Sequence, residues 1–149
     1  MKNERFTLRQ IIILLILMPT ACSYNRDYFN REMDKNEAEM AVDHFYNFLG
    51  QKQYDSAFTC FHPDLWKSKE NEKFRNYLKN SNEQLGLILE RKLDHWTTRV
   101  TIGYQPDTYY ALFYIVRYQK KEFKVSIILK QLDDKIKIIS YQADPDKFL

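Results

Sequence analysis

A cysteine and a histidine stand two residues apart at Cys60 and His62, and these are residue types that can form a nucleophile and its base. Such a pair needs a third group to orient the imidazole, and no third residue is identifiable near it. Cys60 lies in the apolar segment 57–61. A free cysteine in such a setting usually packs as a small hydrophobic side chain. The pattern therefore favours packing of Cys60 over catalysis.

A second polar pair, Asp94 and His95, precedes Trp96 in a segment that alternates as a β-strand does. Alternation would place Asp94 and Trp96 on one face and His95 on the other. The two titratable groups are then not expected to cooperate. The pattern favours a surface Asp and a surface His beside a core Trp.

The histidines His44, His62 and His95 are scattered, and none shows the spacing to another His or Cys that metal motifs have. A zinc site needs three or four converging ligands. The chain has only 3 glycines, which argues against a glycine-rich phosphate loop. The sequence therefore predicts no catalytic residues, no metal and no cofactor.

The other cysteine, Cys22, ends a segment with the layout of a secretory signal peptide. A basic head precedes the apolar run 11–18, which is too short for a membrane-spanning helix because one needs about 20 apolar residues. Thr20 and Ala21 then lead into Cys22 as small residues do in a bacterial lipobox, which the segment resembles, with Pro19 at the usual leucine position. The alternative is an ordinary secretory signal cleaved near Ala21, with Cys22 left unmodified.

The lipobox resemblance implies that Cys22 becomes the lipidated N-terminal residue of the mature chain. Two or more acyl chains anchor a protein stably in a membrane. We interpret residues 1–21 as a lipoprotein signal peptide, 22–33 as the lipidated cysteine and a tether, and 34–149 as the folded domain. Ser23 resembles the residue type that permits transport to the outer membrane in some bacteria. The expected location is the bacterial cell envelope, lipid-anchored on the periplasmic side of the outer membrane.

Loss of residues 1–21 lowers the formal net charge from +3 to +1. A nearly neutral chain gives no electrostatic support for nucleic-acid binding. The 128 residues that remain of the 149 are the size of one domain.

Amphipathic helices precede strands along this domain. Apolar residues at three- and four-residue spacing predict three helices, at about 34–50, 53–62 and 69–86. The period then changes to two and predicts four strands, the last three forming an antiparallel meander, at 87–102, 108–118, 123–130 and 135–143.

This order resembles the nuclear transport factor 2-like (cystatin-like) superfamily. The resemblance rests on helix 41–49, on the step Gln53-Tyr54-Asp55-Ser56-Ala57-Phe58 after it, and on a last strand ending Lys137-Ile138-Ile139-Ser140-Tyr141. It implies an α+β fold with three N-terminal helices packed on a curved, mainly antiparallel four-stranded sheet, which together form a cone. The superfamily includes enzymes and non-catalytic binders. No motif of this chain aligns with the catalytic residues of the enzymes.

In this fold a cavity lies between the sheet and the helices. The residues expected to line it are Trp96, Tyr110, Leu112, Tyr114 and Tyr118. The same large side chains could instead fill the space as a core, and the sequence favours the filled core. The opposite face of strand 108–118 is apolar at Tyr109, Phe113 and Ile115, which suggests a possible homodimer.

These features together predict a non-enzymatic accessory module of the cell envelope that binds a small apolar ligand or an envelope protein. Two alternatives remain open. One is a small isomerase- or hydrolase-like enzyme that uses the cone cavity, and the other is a periplasmic inhibitor or immunity lipoprotein.

Overall fold

The computed structural model of this chain describes residues 24–66 and 70–143. These residues form one antiparallel sheet in the strand order β1-β2-β3-β4-β5, with helices between its first two strands. The described part of the chain is therefore an α+β structure. Its elements, in chain order, are β1 (Asn25–Phe29), α1 (Glu32–Gly50), α2 (Tyr54–Phe58), a 3-10 helix (Pro63–Trp66), α3 (Glu70–Leu85), β2 (Ile88–Gly103), β3 (Asp107–Tyr118), β4 (Glu122–Leu132) and β5 (Lys135–Ala143).

The prediction of three N-terminal helices on a four-stranded sheet is wrong, because a fifth strand precedes the helices. Strand β1 lies within the range 22–33 that the sequence analysis assigned to a tether, and it pairs with the last part of β2. Its side chains are mostly exposed and polar, so it has no apolar alternation to reveal it. Backbone pairing and side-chain hydrogen bonds hold it instead, including one of 2.6 Å from the Thr101 hydroxyl to the Asp27 carboxylate.

Helix α1 supplies one wall of the core. It begins at Glu32, two residues before the predicted start, and its carboxylate Asp34 is buried. Arg31 donates from both Nε and a terminal nitrogen to Asp34 at 2.7 Å, which offsets the cost of burying that charge. The buried apolar face of the helix recurs every three or four residues, at Ala38, Val42, Phe45 and Leu49.

The inner faces of β3 and β4 supply the opposite wall. The prediction that one face of β3 is turned toward the helices is confirmed, because its alternate side chains from Tyr110 to Tyr118 are all buried. On β4 the buried side chains are Phe123, Val125, Ile127 and Leu129. Burying a side chain of this size stabilises a fold by about 1.5–3 kcal/mol. This interface is therefore the main source of stability.

The segment between α2 and the 3-10 helix covers part of the edge of β5. Ile138 donates its backbone N–H to the Cys60 carbonyl at 2.9 Å and accepts from the His62 N–H at 2.8 Å. Phe61, which lies between them, is buried in the core. Backbone groups at a sheet edge need such partners when they are not left to solvent.

Asn30 closes the turn between β1 and α1, and we expect it to hold β1 in register. Its φ of 49° lies in the left-handed region, and its Oδ1 accepts from the Thr98 N–H at 2.9 Å. Asn30→Gly keeps that backbone conformation but removes the acceptor, so it should lower the free energy of unfolding by about 1–3 kcal/mol. Asn30→Ala should lower it by roughly a further 1 kcal/mol because alanine disfavours this conformation. Urea denaturation measures both, and wild-type stability in the glycine variant would contradict this role.

Candidate functional site

The residues expected to line the cone cavity lie on the inner face of the sheet. Tyr110, Leu112, Tyr114 and Tyr118 are buried in the core, and Trp96 is half-buried against it. Tyr118 also lines a small cavity beneath α3.

This cavity lies between α3 and the inner face of the sheet and has a volume of about 20 Å³. A space of that size holds about one water molecule. Most of its wall is apolar, and its polar groups converge from two sides. They are Tyr77, Ser81 and Asn82 on α3, and Tyr118 and Tyr141 on the sheet. An apolar enclosure with a few convergent polar groups is typical of a small-molecule site.

Buried tyrosine hydroxyls continue from this cavity toward α1. Burial raises the pKa of Tyr118 to about 12, and it also raises the pKa of Tyr141, of Tyr46 on α1 and of Tyr114 on β3. A phenol with a raised pKa stays protonated at neutral pH. These four groups can therefore donate and accept hydrogen bonds, but they cannot serve as bases.

Arg91 of β2 lies against two of these tyrosines. The guanidinium carbon lies 4.7 Å from the ring centroid of Tyr46 and 5.2 Å from that of Tyr114. We call Tyr46, Tyr114, Tyr118, Tyr141 and Arg91 the tyrosine–arginine cluster.

Two polar atoms of the tyrosine–arginine cluster are buried without a hydrogen-bond partner. They are the hydroxyl oxygen of Tyr114 and the Nε of Arg91, whereas the Tyr46 hydroxyl lies within hydrogen-bonding reach of Tyr141. Each such atom costs about 1–3 kcal/mol, which is why folded proteins contain few of them. Two on adjoining side chains mark a place where the fold gives up stability, as binding sites commonly do.

Helix α3 covers the cavity and contacts α1, α2 and the sheet through its side chains. Among its described side chains, Leu78 is the one that is buried. The Asn82 side-chain amide donates to the Leu49 carbonyl at 3.0 Å. This bond gives a hydrogen-bond partner to a carbonyl in the last turn of α1. Phe74 packs edge-on against Phe61 with ring centroids 5.5 Å apart. Because most of the described side chains of α3 are exposed, an outward movement of this helix would leave the packing of α1 on the sheet in place.

The prediction that Asp94 and His95 lie on opposite faces is wrong. The register between β2 and β3 shifts between Leu93 and His95, and His95 Nδ1 lies 3.0 Å from Asp94 Oδ2. A bulge interrupts strict alternation and can bring consecutive side chains together. The His95 ring also stacks on Phe113 at a centroid distance of 4.1 Å. Both side chains are exposed on the outer face of the sheet, beside an open hollow of about 260 Å³.

Cys60 and His62 do not form a catalytic pair. His62 Nδ1 accepts from the Asp64 N–H at 3.2 Å, whereas Cys60 is half-buried in the wall of an open groove of about 560 Å³. His44 and Lys137 line the same groove, and the sequence did not associate His44 with Cys60. Burial raises the pKa of the Cys60 thiol, so the thiol stays protonated near neutral pH.

The remaining expectations concern the chain ends and the outer face. Residues 1–21 and Cys22 lie outside the described residues. Within 24–66 and 70–143, no three His, Cys, Asp or Glu side chains converge as metal ligands do, and no helix is long and apolar enough to cross a membrane. Tyr109, Phe113 and Ile115 are half-buried on the outer face, and the homodimer stays a prediction.

Comparison with known proteins finds no family model, no curated protein and no solved structure that matches this chain. The lipoprotein signal and the superfamily resemblance therefore stay predictions from the sequence.

Sequence reasoning missed Tyr46, Arg91 and Tyr141 as members of a site. A signal for Arg91 is present, because it stands two residues before Leu93 and shares its strand face. A charged residue on a face that meets a core is a polar group that needs an explanation.

Removing the Tyr114 hydroxyl should cost the fold little. Tyr114→Phe deletes a buried oxygen that has no partner, so the free energy of unfolding should stay within about 0.5 kcal/mol of wild type or rise. The contrasting variant is Thr108→Val, because the Thr108 hydroxyl accepts from the Gln131 N–H at 2.6 Å. It should lower that free energy by about 1–3 kcal/mol. Urea denaturation measures both free energies of unfolding. Equal losses in the two variants would contradict the conclusion that the Tyr114 hydroxyl has no hydrogen-bond partner.

Proposed function

We propose that this protein is a lipid-anchored, extracytoplasmic binding module of the bacterial cell envelope that holds a small, mainly apolar ligand between α3 and the sheet. The observation that carries the proposal is the tyrosine–arginine cluster, whose buried, partly unpartnered polar atoms lie behind an apolar cavity. The anchor rests on the signal-like segment that ends at Cys22.

The chemistry of the cluster favours binding over catalysis. Its phenols stay protonated, since burial raises the pKa of each one. Protonated phenols orient a ligand through hydrogen bonds, and the apolar wall supplies most of the binding free energy. A non-enzymatic binding module fits these groups better than an acid–base enzyme does.

Binding requires an outward movement of α3. Ligand sites commonly have volumes of about 300–1,000 Å³. The cavity of about 20 Å³ is far smaller, so we take this conformation as the closed one. Displacing α3 exposes its buried Leu78 and the partly buried Phe74 and Leu85, and a ligand that covers the same surface compensates for that loss.

An apolar fluorescent probe tests the ligand site. N-phenyl-1-naphthylamine should gain fluorescence and saturate with the intact chain in bilayer nanodiscs, relative to empty nanodiscs. Ser81→Phe places a ring in the wall of the cavity and should weaken binding about tenfold, as a steric block of about 1.4 kcal/mol does. The matched control is Lys79→Phe, which adds the same ring at an exposed position of α3 and should leave binding unchanged. Absence of saturable binding, or equal effects of the two variants, would overturn the ligand site.

Mass spectrometry of the mature N-terminus tests the anchor. When the chain is expressed in a bacterium that processes lipoproteins, we expect a mature protein that begins at Cys22 and carries a diacylglyceryl group. Cys22→Ala should abolish lipidation and leave the protein in the aqueous phase of a detergent partition. An unmodified Cys22 in the mature protein would contradict the anchor.

A further inference from the structure

Strand β1 begins almost immediately after the cysteine that carries the proposed anchor. Cys22 stands two residues before Tyr24 and three before the first residue of β1. An extended chain covers at most about 3.6 Å per residue, so the Cα atoms of Cys22 and Tyr24 are no more than about 7 Å apart. The polar layer on each side of a bilayer is about 5–8 Å thick. Lipid on Cys22 therefore brings the beginning of β1 to the head groups of the membrane.

The start of β1 is held against the turn between β2 and β3. Asn25 pairs with Gly103, the last residue of β2, and its Oδ1 accepts from the Gln105 N–H at 3.0 Å. A Cβ added to Gly103, whose φ is 145°, would overlap the Tyr24 carbonyl. Tyr24 and the turn therefore form one continuous surface at this end of the sheet.

Three large apolar side chains are exposed on this surface. Tyr24 and Tyr104 are 71% and 74% exposed, and Ile102 is 54% exposed. Ile102 pairs with Arg26 across β1 and β2, so their side chains share one face of the sheet. Tyr24 alternates with Arg26 along the chain and shares that face as well. We call Tyr24, Arg26, Ile102 and Tyr104 the β1-end patch.

The composition of the β1-end patch fits the head-group region of a phospholipid membrane. Tyrosine is enriched at this depth because its ring is apolar while its hydroxyl stays hydrated. Arg26 lies 5.0 Å from the ring centroid of Tyr28 and forms no ion pair within the described residues, so its guanidinium can bind a lipid phosphate. Arg31, which contacts the same ring, is already neutralised by Asp34.

We propose that the β1-end patch lies in the head-group region of the membrane that holds the lipid of Cys22, and that this contact fixes the orientation of the domain. The domain then stands on this end of the sheet. Leu89, near the other end of β2, lies roughly 40 Å from Ile102 and points away from the membrane. This orientation rests on the anchor proposed above, because lipid on Cys22 is what brings the patch to the membrane.

A tryptophan placed in the patch tests the contact. In nanodiscs whose phospholipids carry bromine on their acyl chains, the intact chain with Tyr104→Trp should lose about half of its added fluorescence relative to unbrominated nanodiscs, because tryptophan settles at the head-group level near the bromines. The matched control is Leu89→Trp, at an exposed position of β2, which should be equally bright in both lipids. Wild-type fluorescence in each lipid is subtracted, since Trp66 and Trp96 contribute to it.

A second substitution distinguishes a contact from mere closeness to the membrane. Added to Tyr104→Trp, Ile102→Ser removes apolar surface from the patch and should restore about half of the lost fluorescence. Leu89→Ser changes a side chain of nearly equal exposure, 53% against 54%, and should restore none. Equal effects of the two serine variants would overturn the patch.

Mass spectrometry of the same samples separates failure of the patch from failure of the anchor. With Cys22 lipidated, equal brightness of Tyr104→Trp in the two lipids would overturn the patch and leave the anchor standing. This result is expected if a second copy of the chain, or another protein, covers the patch. Equal quenching of Leu89→Trp would also overturn it, because the domain would then have no fixed orientation. If Cys22 is unmodified, the anchor fails and the patch fails with it.

Discussion

The packing of α1 against the inner face of β3 and β4 is the interaction on which the rest of this structure depends. Val42 and Phe45 of α1 and Leu112 and Ile127 of the sheet are fully buried at this interface. Helices α2 and α3, and the segment that covers β5, pack around the surface that this pairing creates. Because the interface is closely packed, the polar side chains that it carries are held in fixed positions.

Tyr46 and Tyr114 are two of those polar side chains. Each follows from the periodicity of its element, since Tyr46 is next to Phe45 on α1 and Tyr114 alternates with Leu112 and Val116 on β3. A phenylalanine at position 114 would bury the same ring without an unpartnered oxygen. The Tyr114 hydroxyl, with the Nε of Arg91, thus introduces a local cost into an otherwise apolar interior.

Helix α3 and the sheet lie on opposite sides of the cavity. Helix α3 exposes most of its described side chains and is joined to α1 through Asn82. The sheet beneath it is continuous through five strands. Helix α3 adds Leu78 to the core, but the packing of α1 on the sheet does not depend on it, so a site beneath α3 can open without loss of that packing.

The sequence by itself determined the elements whose side chains repeat with a clear period. The stripe on α1 and the alternation of β3, β4 and β5 predicted those elements and the buried face of β3 to within a few residues, because burial of one face imposes the period. It did not reveal β1, whose mostly exposed side chains carry no period, nor the bulge that brings Asp94 and His95 together.

The candidate site was only partly within reach of the sequence. Tyr114 and Tyr118 could be named because they lie on one strand, and the segment before Cys22 predicted the anchor from its own composition. The meeting of Tyr46, Arg91, Tyr118 and Tyr141 was decided by the tertiary structure alone. These residues come from α1, β2, β3 and β5, and a contact between distant segments depends on the register and packing of whole elements, which no local pattern records.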